Sequence, residues 1–388
     1  MLSRRLPSDR LPNRLTQAIN LLHREHQPFI DLTESNPTRA GFTYPTDLLN
    51  DFSHVEALQY DPQPFGLACA REAIARDYGR RGITVDPSRI VLTTSTSESY
   101  SWLFKLLCNA GDHVLVPRPS YPLFDYLTKL EAVHAKPYDL DYDRHWTISM
   151  TSLEKAVTPQ TRALVVVSPN NPTGSFITRE EHLQLMQFCK SHDLVLIADE
   201  VFVDYPLDER KERATDLALQ ETTLACSLGG LSKSIGLPQA KLGWMLLGGP
   251  PGLCATALDA LELIADSYLS VSTSVQIAAP NLLTRGALIR QEIHSRIRGN
   301  LKTLYHEVSQ QPSCQALVVE GGWYAVLRVP ATQPEEDLVL DLLQREHVLV
   351  YPGYFFDFSN EAYLVISLLP PPEVLNDALP RLLTVASN

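Results

Sequence analysis

Basic charge is scarce in this chain of 388 residues: 33 Lys and Arg stand against 45 Asp and Glu, a formal net charge of −12. Nucleic-acid binding rests on clustered Lys and Arg facing the phosphate backbone, so that class of partner is disfavoured. Long apolar runs are also missing. No stretch of about 20 residues is free of Gly, Pro or charge, so no membrane-spanning helix is expected. The N-terminal Met1-Leu2-Ser3-Arg4-Arg5 lacks the apolar run that a secretory signal places after its basic residues, and a cytoplasmic protein is expected. The six cysteines (Cys69, Cys108, Cys189, Cys226, Cys254 and Cys314) form no C-x-x-C pair and sit mostly in apolar surroundings, as buried free thiols do. The eleven histidines are scattered, with no H-E-x-x-H and no zinc spacing, and no metal site is expected.

The composition, 44% hydrophobic and 20% charged, is that of a globular protein, and the length suits two domains. Leu11, Leu15, Ile19 and Leu22 recur at helical spacing before Pro28, which predicts an arm with one helix. Further on, short β-branched runs (90–92, 113–116, 163–167, 194–198) alternate with helical segments near 97–109, 121–130 and 178–190. That pattern predicts an α/β domain with a mostly parallel sheet flanked by helices. Long helical stretches follow at about 253–267 and 274–308, and the second could bridge two domains. Strand-like runs at 316–319, 323–329, 348–351 and 363–367, with helical segments near 335–346 and 372–386, predict a smaller α+β domain. The expected division is an N-terminal arm that joins the small domain (1–45), a large domain (46–280) and a small C-terminal domain (281–388).

Two nucleotide readings fail on their glycines. The run Leu194 to Glu200 looks like the strand ending in Asp-Glu that holds magnesium in P-loop ATPases, and Lys233-Ser234 could close a phosphate loop. Such a loop needs Gly directly before the lysine, and Ser232 stands there. No G-x-G-x-x-G marks a dinucleotide site either. A different constellation is consistent. Asn171-Pro172-Thr173-Gly174 follows the strand-like run ending at Val167, Asp199 ends the next, and Lys233 follows a third, Thr222 to Cys226. Singly, these residues read as a turn, a helix cap and a surface lysine. Jointly they stand at the carboxyl ends of strands, the edge where open α/β sheets bind ligands. A lysine held there, its pKa lowered by desolvation, can condense with an aldehyde.

With these residues in place, the chain resembles the class I/II aminotransferases, fold-type-I pyridoxal-phosphate-dependent enzymes, over nearly its whole length. The matching pieces run in family order: Tyr60 with Gly66 and Arg71, Thr94-Ser95-Thr96-Ser97-Glu98, Pro119-Ser120-Tyr121-Pro122, Asn171-Pro172-Thr173-Gly174, Asp199-Glu200, Ser232-Lys233, Lys241-Leu242-Gly243-Trp244, Gly321-Gly322-Trp323 and Pro352-Gly353-Tyr354-Phe355-Phe356. The resemblance implies that Lys233 holds pyridoxal 5'-phosphate as a Schiff base and shuttles the proton of the substrate α-carbon. It implies that Asp199 pairs with the pyridine nitrogen and keeps it protonated, that Asn171 donates to the phenolic oxygen, and that Tyr121 lies against the ring. The phosphate is expected where Ser95, Thr96 and Ser97 open a helix. Ser232 and Lys241 complete its cradle, and Tyr60 reaches it from a second subunit, so a homodimer with shared active sites is implied.

Four departures from the family pattern stand out. Gly230 and Lys241 replace a serine and an arginine that serve the phosphate, losing a hydroxyl and a bidentate fork. Phe202 replaces a tyrosine that donates to the phenolic oxygen, and a Schiff base that deprotonates at higher pH is expected from it. Val365, in Tyr363-Leu364-Val365-Ile366-Ser367, occupies the place of the arginine that clamps the substrate α-carboxylate, a loss of about 1.5–3 kcal/mol, or ten- to a hundredfold in affinity. Arg39, in the loop that follows Asn36, and then Arg328 are the candidate substitutes on the substrate side, where Asn36 and Asn171 also belong. The expected reaction is amino transfer between a donor and a keto acid or aldehyde, with an atypical substrate. A β-eliminating lyase or a decarboxylase on the same fold is the alternative, and a non-catalytic pyridoxal-phosphate-binding regulatory module the third reading.

Overall fold

The structure, a computed structural model, describes residues 3–7, 11–209, 212–215 and 217–387. Eight strands form the main sheet in the spatial order Ile90–Thr93, Gly243–Gly248, Ala225–Gly230, Val195–Asp199, Thr161–Val167, His113–Arg118, His134–Asp143, His145–Ile148. The central pairings are parallel, while Gly243–Gly248 runs antiparallel to both neighbours and the last two strands form a hairpin. The central strands are apolar throughout because both faces are covered. Strand side chains alternate between faces. Thus Val165 and Val167 face one cluster with Trp102, Phe104 and Leu261, while Leu164 and Val166 face another with Leu185, Phe188 and Leu194.

A second sheet of four strands, Gln315–Ala316, Tyr324–Arg328, Tyr363–Ser367 and Tyr351–Pro352 in that order, is antiparallel. The N-terminal segment joins it: Ile30 and Asp31 pair in parallel with Val348 and Leu349, and the Leu32 carbonyl accepts the Ser367 N–H at 2.6 Å. Arg14, on the helix Arg14–Arg24, reaches Glu336 and Asp337 at 2.9 Å each. One helix of 37 residues, Thr273–Ser309, runs along both parts of the molecule and passes without interruption through position 280.

Several elements differ from their expected extents. The strand expected at 222–226 lies at Ala225–Gly230, because Gly229 and Gly230 continue its pairing with Trp244 and Gly243, and at 229 a side chain would not fit. A Cβ at Gly229 would stand 2.6 Å from the Trp244 ring. The run expected at 316–319 is a strand only at Gln315–Ala316. The hairpin 134–148 had no sequence signal, since its first strand contains Pro137 and alternating charges and is only partly buried. No helix among the described residues is long and apolar enough to cross a membrane.

Backbone approaches this close set a limit on side chains elsewhere in the sheet. At Gly248, which ends its strand, an added Cβ would lie 1.8 Å from the Ala218 carbonyl oxygen. Gly248→Ala is expected to cost about 1–3 kcal/mol, because the obstacle is backbone and has no rotamer to change. A denaturant midpoint that did not fall would contradict this packing.

Candidate active site

The ends of four strands converge on one cavity of about 220 Å³. Ile90–Thr93 leads into Ser95, Thr96 and Ser97; Thr161–Val167 into Asn171; Val195–Asp199 ends in Asp199; and Ala225–Gly230 leads into Ser232 and Lys233. All four strands point the same way, so their carboxyl ends share one edge of the sheet. The small sheet closes the other side with Tyr324, and the N-terminal segment contributes Ser35.

Lys233 lies on a single helical turn, Leu231–Ser234, three residues beyond the strand. Its Nζ stands 4.8 Å from the ring centre of Trp323 and 5.4 Å from that of Phe202. Burial disfavours the ammonium form and pushes the amine down to about 8, although Asp199 pulls the other way. Asp199 shows the converse. Burial raises its carboxyl to about 6, opposed by the Val201 N–H at 3.2 Å, the Tyr100 hydroxyl at 3.0 Å and the charge of Lys233. An acid and a base, each disfavoured as an ion, thus face one buried space.

The helix Thr96–Leu107 begins at this cavity, with Ser95 as its N-cap accepting the Glu98 N–H at 3.3 Å. Its dipole and its first N–H groups favour an anion there. The Asn171 side chain is buried, and its Oδ1 has no hydrogen-bond partner in the protein. Buried polar groups are almost always paired, so this unpaired oxygen marks a place for a donor, while the amide N–H groups of the same side chain are the ones that could serve an acceptor in the cavity. A buried carboxylate, a desolvated amine, an unpaired amide and a helix start together fit an aromatic aldehyde that carries a ring nitrogen, an oxygen substituent and a phosphate. Pyridoxal phosphate has these groups.

Not every residue singled out in the sequence lines the cavity. Tyr121 does, 44% exposed and edge-on to Phe124. Phe202 is buried against Trp323 and Tyr324. Tyr60 is 69% exposed and lines a separate cleft with Pro62, Gln63 and Leu269. Lys241 is exposed, its backbone in the left-handed region at φ 53°. Asn36 accepts from the Thr38 N–H and hydroxyl, a local turn, and Arg39 is exposed beside it. Arg328 is exposed and donates to Gln315 at 2.6 Å. Val365 is fully buried, paired in register with Val326 and Tyr351. Among the described residues, no arginine lines the cavity.

Four contributors had no role in the sequence reading. Tyr100, four positions after Thr96 and so on the same helix face, was legible only once Asp199 had a position. Trp323 and Tyr324 follow Gly321-Gly322, whose small size brings the strand to Phe176 and Tyr205; a Cβ at Gly321 would lie 2.5 Å from the Phe176 ring. Ser35 carried no signal at all.

Comparison with known proteins points one way. The family profile described as aminotransferase class I and II matches residues 30–382. The glutamate-pyruvate aminotransferase AlaA of Haemophilus influenzae is 28% identical over 369 residues, covering 93% of this chain and 91% of that protein. An alanine aminotransferase of Mycobacterium tuberculosis is 28% identical over 376 residues, covering 93% of this chain and 86% of that one. Among solved structures, an aminotransferase from Escherichia coli superposes with a TM-score of 0.87 at 25% identity, covering 99% of this chain and 97% of the other. The fold is that of the fold-type-I enzymes.

The two shifted groups give the cofactor-free protein a stability trough. Asp199 holds its proton in the folded state between the ordinary 3.8 and about 6, so there stability falls as pH rises. Lys233 is deprotonated in the folded state between about 8 and 10.5, where the unfolded chain still binds the proton, so there stability rises with pH. Between about 6 and 8 both ions are buried and the cost is greatest. Asp199→Asn should therefore raise the melting temperature of the cofactor-free protein at pH 7, by about 1–3 kcal/mol in stability, while weakening cofactor retention. A cofactor-free variant less stable than wild type at pH 7 would refute the trough.

Proposed function

The chain belongs to the class I and II aminotransferases, and from that premise we propose that it uses pyridoxal phosphate to move an amino group between an amino donor and a keto acid or aldehyde. The observation that carries the cofactor assignment is the placement of Lys233 and Asp199 in one buried cavity beneath the start of the Thr96–Leu107 helix. When bound, the cofactor supplies an electron sink for the donor's α-carbon. Lys233 takes the proton from that carbon and returns it elsewhere, a task suited to an amine held near 8. Asp199 keeps a proton on the ring nitrogen. Asn171 would donate an amide N–H to the phenolic oxygen, Tyr121 would lie against the ring, and Ser95, Thr96, Ser97 and Ser232 would hold the phosphate.

The donor's recognition departs from the family. With Val365 inside the sheet, the wall opposite the large domain is Ser35 and Tyr324, two neutral hydroxyls. Glu34 lies beside them, close enough for its charge to raise the phenols of Tyr324 and Tyr351. An α-carboxylate gains no guanidinium from the residues that line the cavity, which supports an atypical donor. Arg39 and Arg328 give this chain no replacement from where they stand. A homodimer fits the exposed apolar run Leu49, Val55, Leu58 and Tyr60, from which Tyr60 of one subunit would reach the phosphate end of the other. A cytoplasmic location remains part of the proposal.

The test is a half-reaction. The yellow holoenzyme is mixed with L-alanine, L-glutamate or a simple primary amine, and the visible band is followed as keto or aldehyde product is measured. Loss of the band with stoichiometric product and no second substrate supports transamination. Ammonia or carbon dioxide released with the band unchanged points to elimination or decarboxylation instead. Lys233→Ala should slow turnover by about 10²–10⁴-fold; a variant with wild-type kcat would remove Lys233 from the reaction.

A further inference from the structure

The turn that carries Lys233 is too short to satisfy its own backbone. A helix leaves its last four carbonyls without intrahelical partners, and Leu231–Ser234 contains only four residues. The Lys233 carbonyl accepts from the Gly236 N–H at 3.3 Å, and three side chains from distant parts of the chain add further donors here. The Tyr205 hydroxyl lies 2.7 Å from the Lys233 carbonyl oxygen and 3.2 Å from that of Ser234. Arg290 donates from Nε to the Ser234 carbonyl at 2.8 Å. The Tyr44 hydroxyl donates to the Gly236 carbonyl at 2.6 Å. None of the three lines the cavity.

Arg290 is the charged member of this grip. It is buried on the long helix Thr273–Ser309, its Nη2 stands 3.3 Å from both carboxylate oxygens of Asp77, and its Nε lies 3.5 Å from Asp204. Arg80 holds Asp204 from the other side. The guanidinium is thus fixed by two carboxylates before it reaches the turn. Packing repeats the same contact: Cβ atoms at Gly236 and Gly286 would strike Ile293 and Ile235, at 2.9 and 2.7 Å. Ile293 of the helix packs on the glycine after the turn, and Ile235 after the turn packs on a glycine of the helix.

We infer that Arg290 is a positioning residue, whose charge-assisted bond to the Ser234 carbonyl sets where the Lys233 amine stands relative to Asp199 and the bound substrate. Through the long helix it also ties that position to the small-domain side of the molecule. The reason is geometric. Lys233 is attached to a single turn whose start is held by backbone bonds of Leu231 to Leu242 and Leu237, both at 2.9 Å, while the Ser234 carbonyl at its end is held by side chains. A displacement of about 1 Å in such a group is enough to cost about a hundredfold in rate.

The inference rests on the aminotransferase reading, and its test separates the two. Arg290→Met and Arg290→Lys are compared as cofactor-loaded proteins, with rates counted per bound cofactor. For Arg290→Met the expected result is a fall in kcat of about ten- to a hundredfold, a donor KM within about threefold, and a shift of about half a pH unit or more in the midpoint of the visible-band titration. Arg290→Lys keeps one donor for the Ser234 carbonyl and should recover most of the loss. Should Arg290→Met not fold, Tyr205→Phe removes a hydroxyl from the same carbonyls without touching the ion pairs, and should move kcat and midpoint in the same direction by less. A lower melting temperature with unchanged kcat and midpoint overturns the inference and leaves Arg290 a stabilising ion pair. Wild-type protein that neither binds the cofactor nor turns over overturns the functional reading, and this inference with it.

Discussion

Two ionisable groups, Asp199 and Lys233, are buried together without forming a close ion pair, and the surrounding structure follows from keeping them so. A lone buried charge is costly, and Coulomb attraction offsets that only when the geometry is close and the remaining hydrogen bonds are made. Here the shifts run toward neutrality in both groups, so burial outweighs attraction. What tolerates the arrangement is the sheet edge. Asp199 can accept from Tyr100 and from the Val201 N–H because its strand ends there, and the Lys233 amine is enclosed by Phe202 and Trp323 because the small sheet is pressed against the large one. A ligand with a ring nitrogen and an aldehyde carbon would relieve that cost by meeting both groups at once.

How much of this could be read from the sequence depends on how local each signal was. Asn171, Asp199 and Lys233 were legible because each follows an apolar run, and parallel strands deliver such positions to one edge whatever the remaining topology. The helix opened by Ser95 was legible for a similar reason, its cap being a short-range motif. Ser35, Tyr100 and Tyr324 were not. Their roles depend on contacts between residues far apart in the chain, and no periodicity within a segment encodes which residue faces a cavity built by others. The hairpin 134–148 escaped because Pro137 and alternating charges mimic a loop, and the shift of the Ala225–Gly230 strand escaped because two glycines read as a turn when their real partner is the Trp244 ring. Arg39 looked apt as a substitute cation by its position in a loop, yet the Asn36 turn presents it outward.

The departures from the family pattern are connected through packing. Gly230 sits where a Cβ would lie 3.3 Å from the Gly243 Cα and the Leu242 carbonyl, and Gly243 in turn would meet the Ser95 backbone at 3.0 Å. Lysine-bearing turn, antiparallel strand and helix start thus lie close together, and a side chain at 230 would need its neighbours to give by a few tenths of an ångström. Phe202 follows the same logic at the other end of the amine. A phenol at that position could donate to a bound ring, whereas a phenyl group can only exclude water, and exclusion of water is what pushes Lys233 down. Val365 completes the set, since a guanidinium in its place would enter a strand whose neighbours Val326, Leu364 and Ile366 are fully buried. Hydrogen-bond donors have been exchanged for close packing at three points around one lysine. The lysine turn then relies on desolvation by Phe202 and Trp323 and on the contacts of Tyr44, Tyr205 and Arg290 behind it.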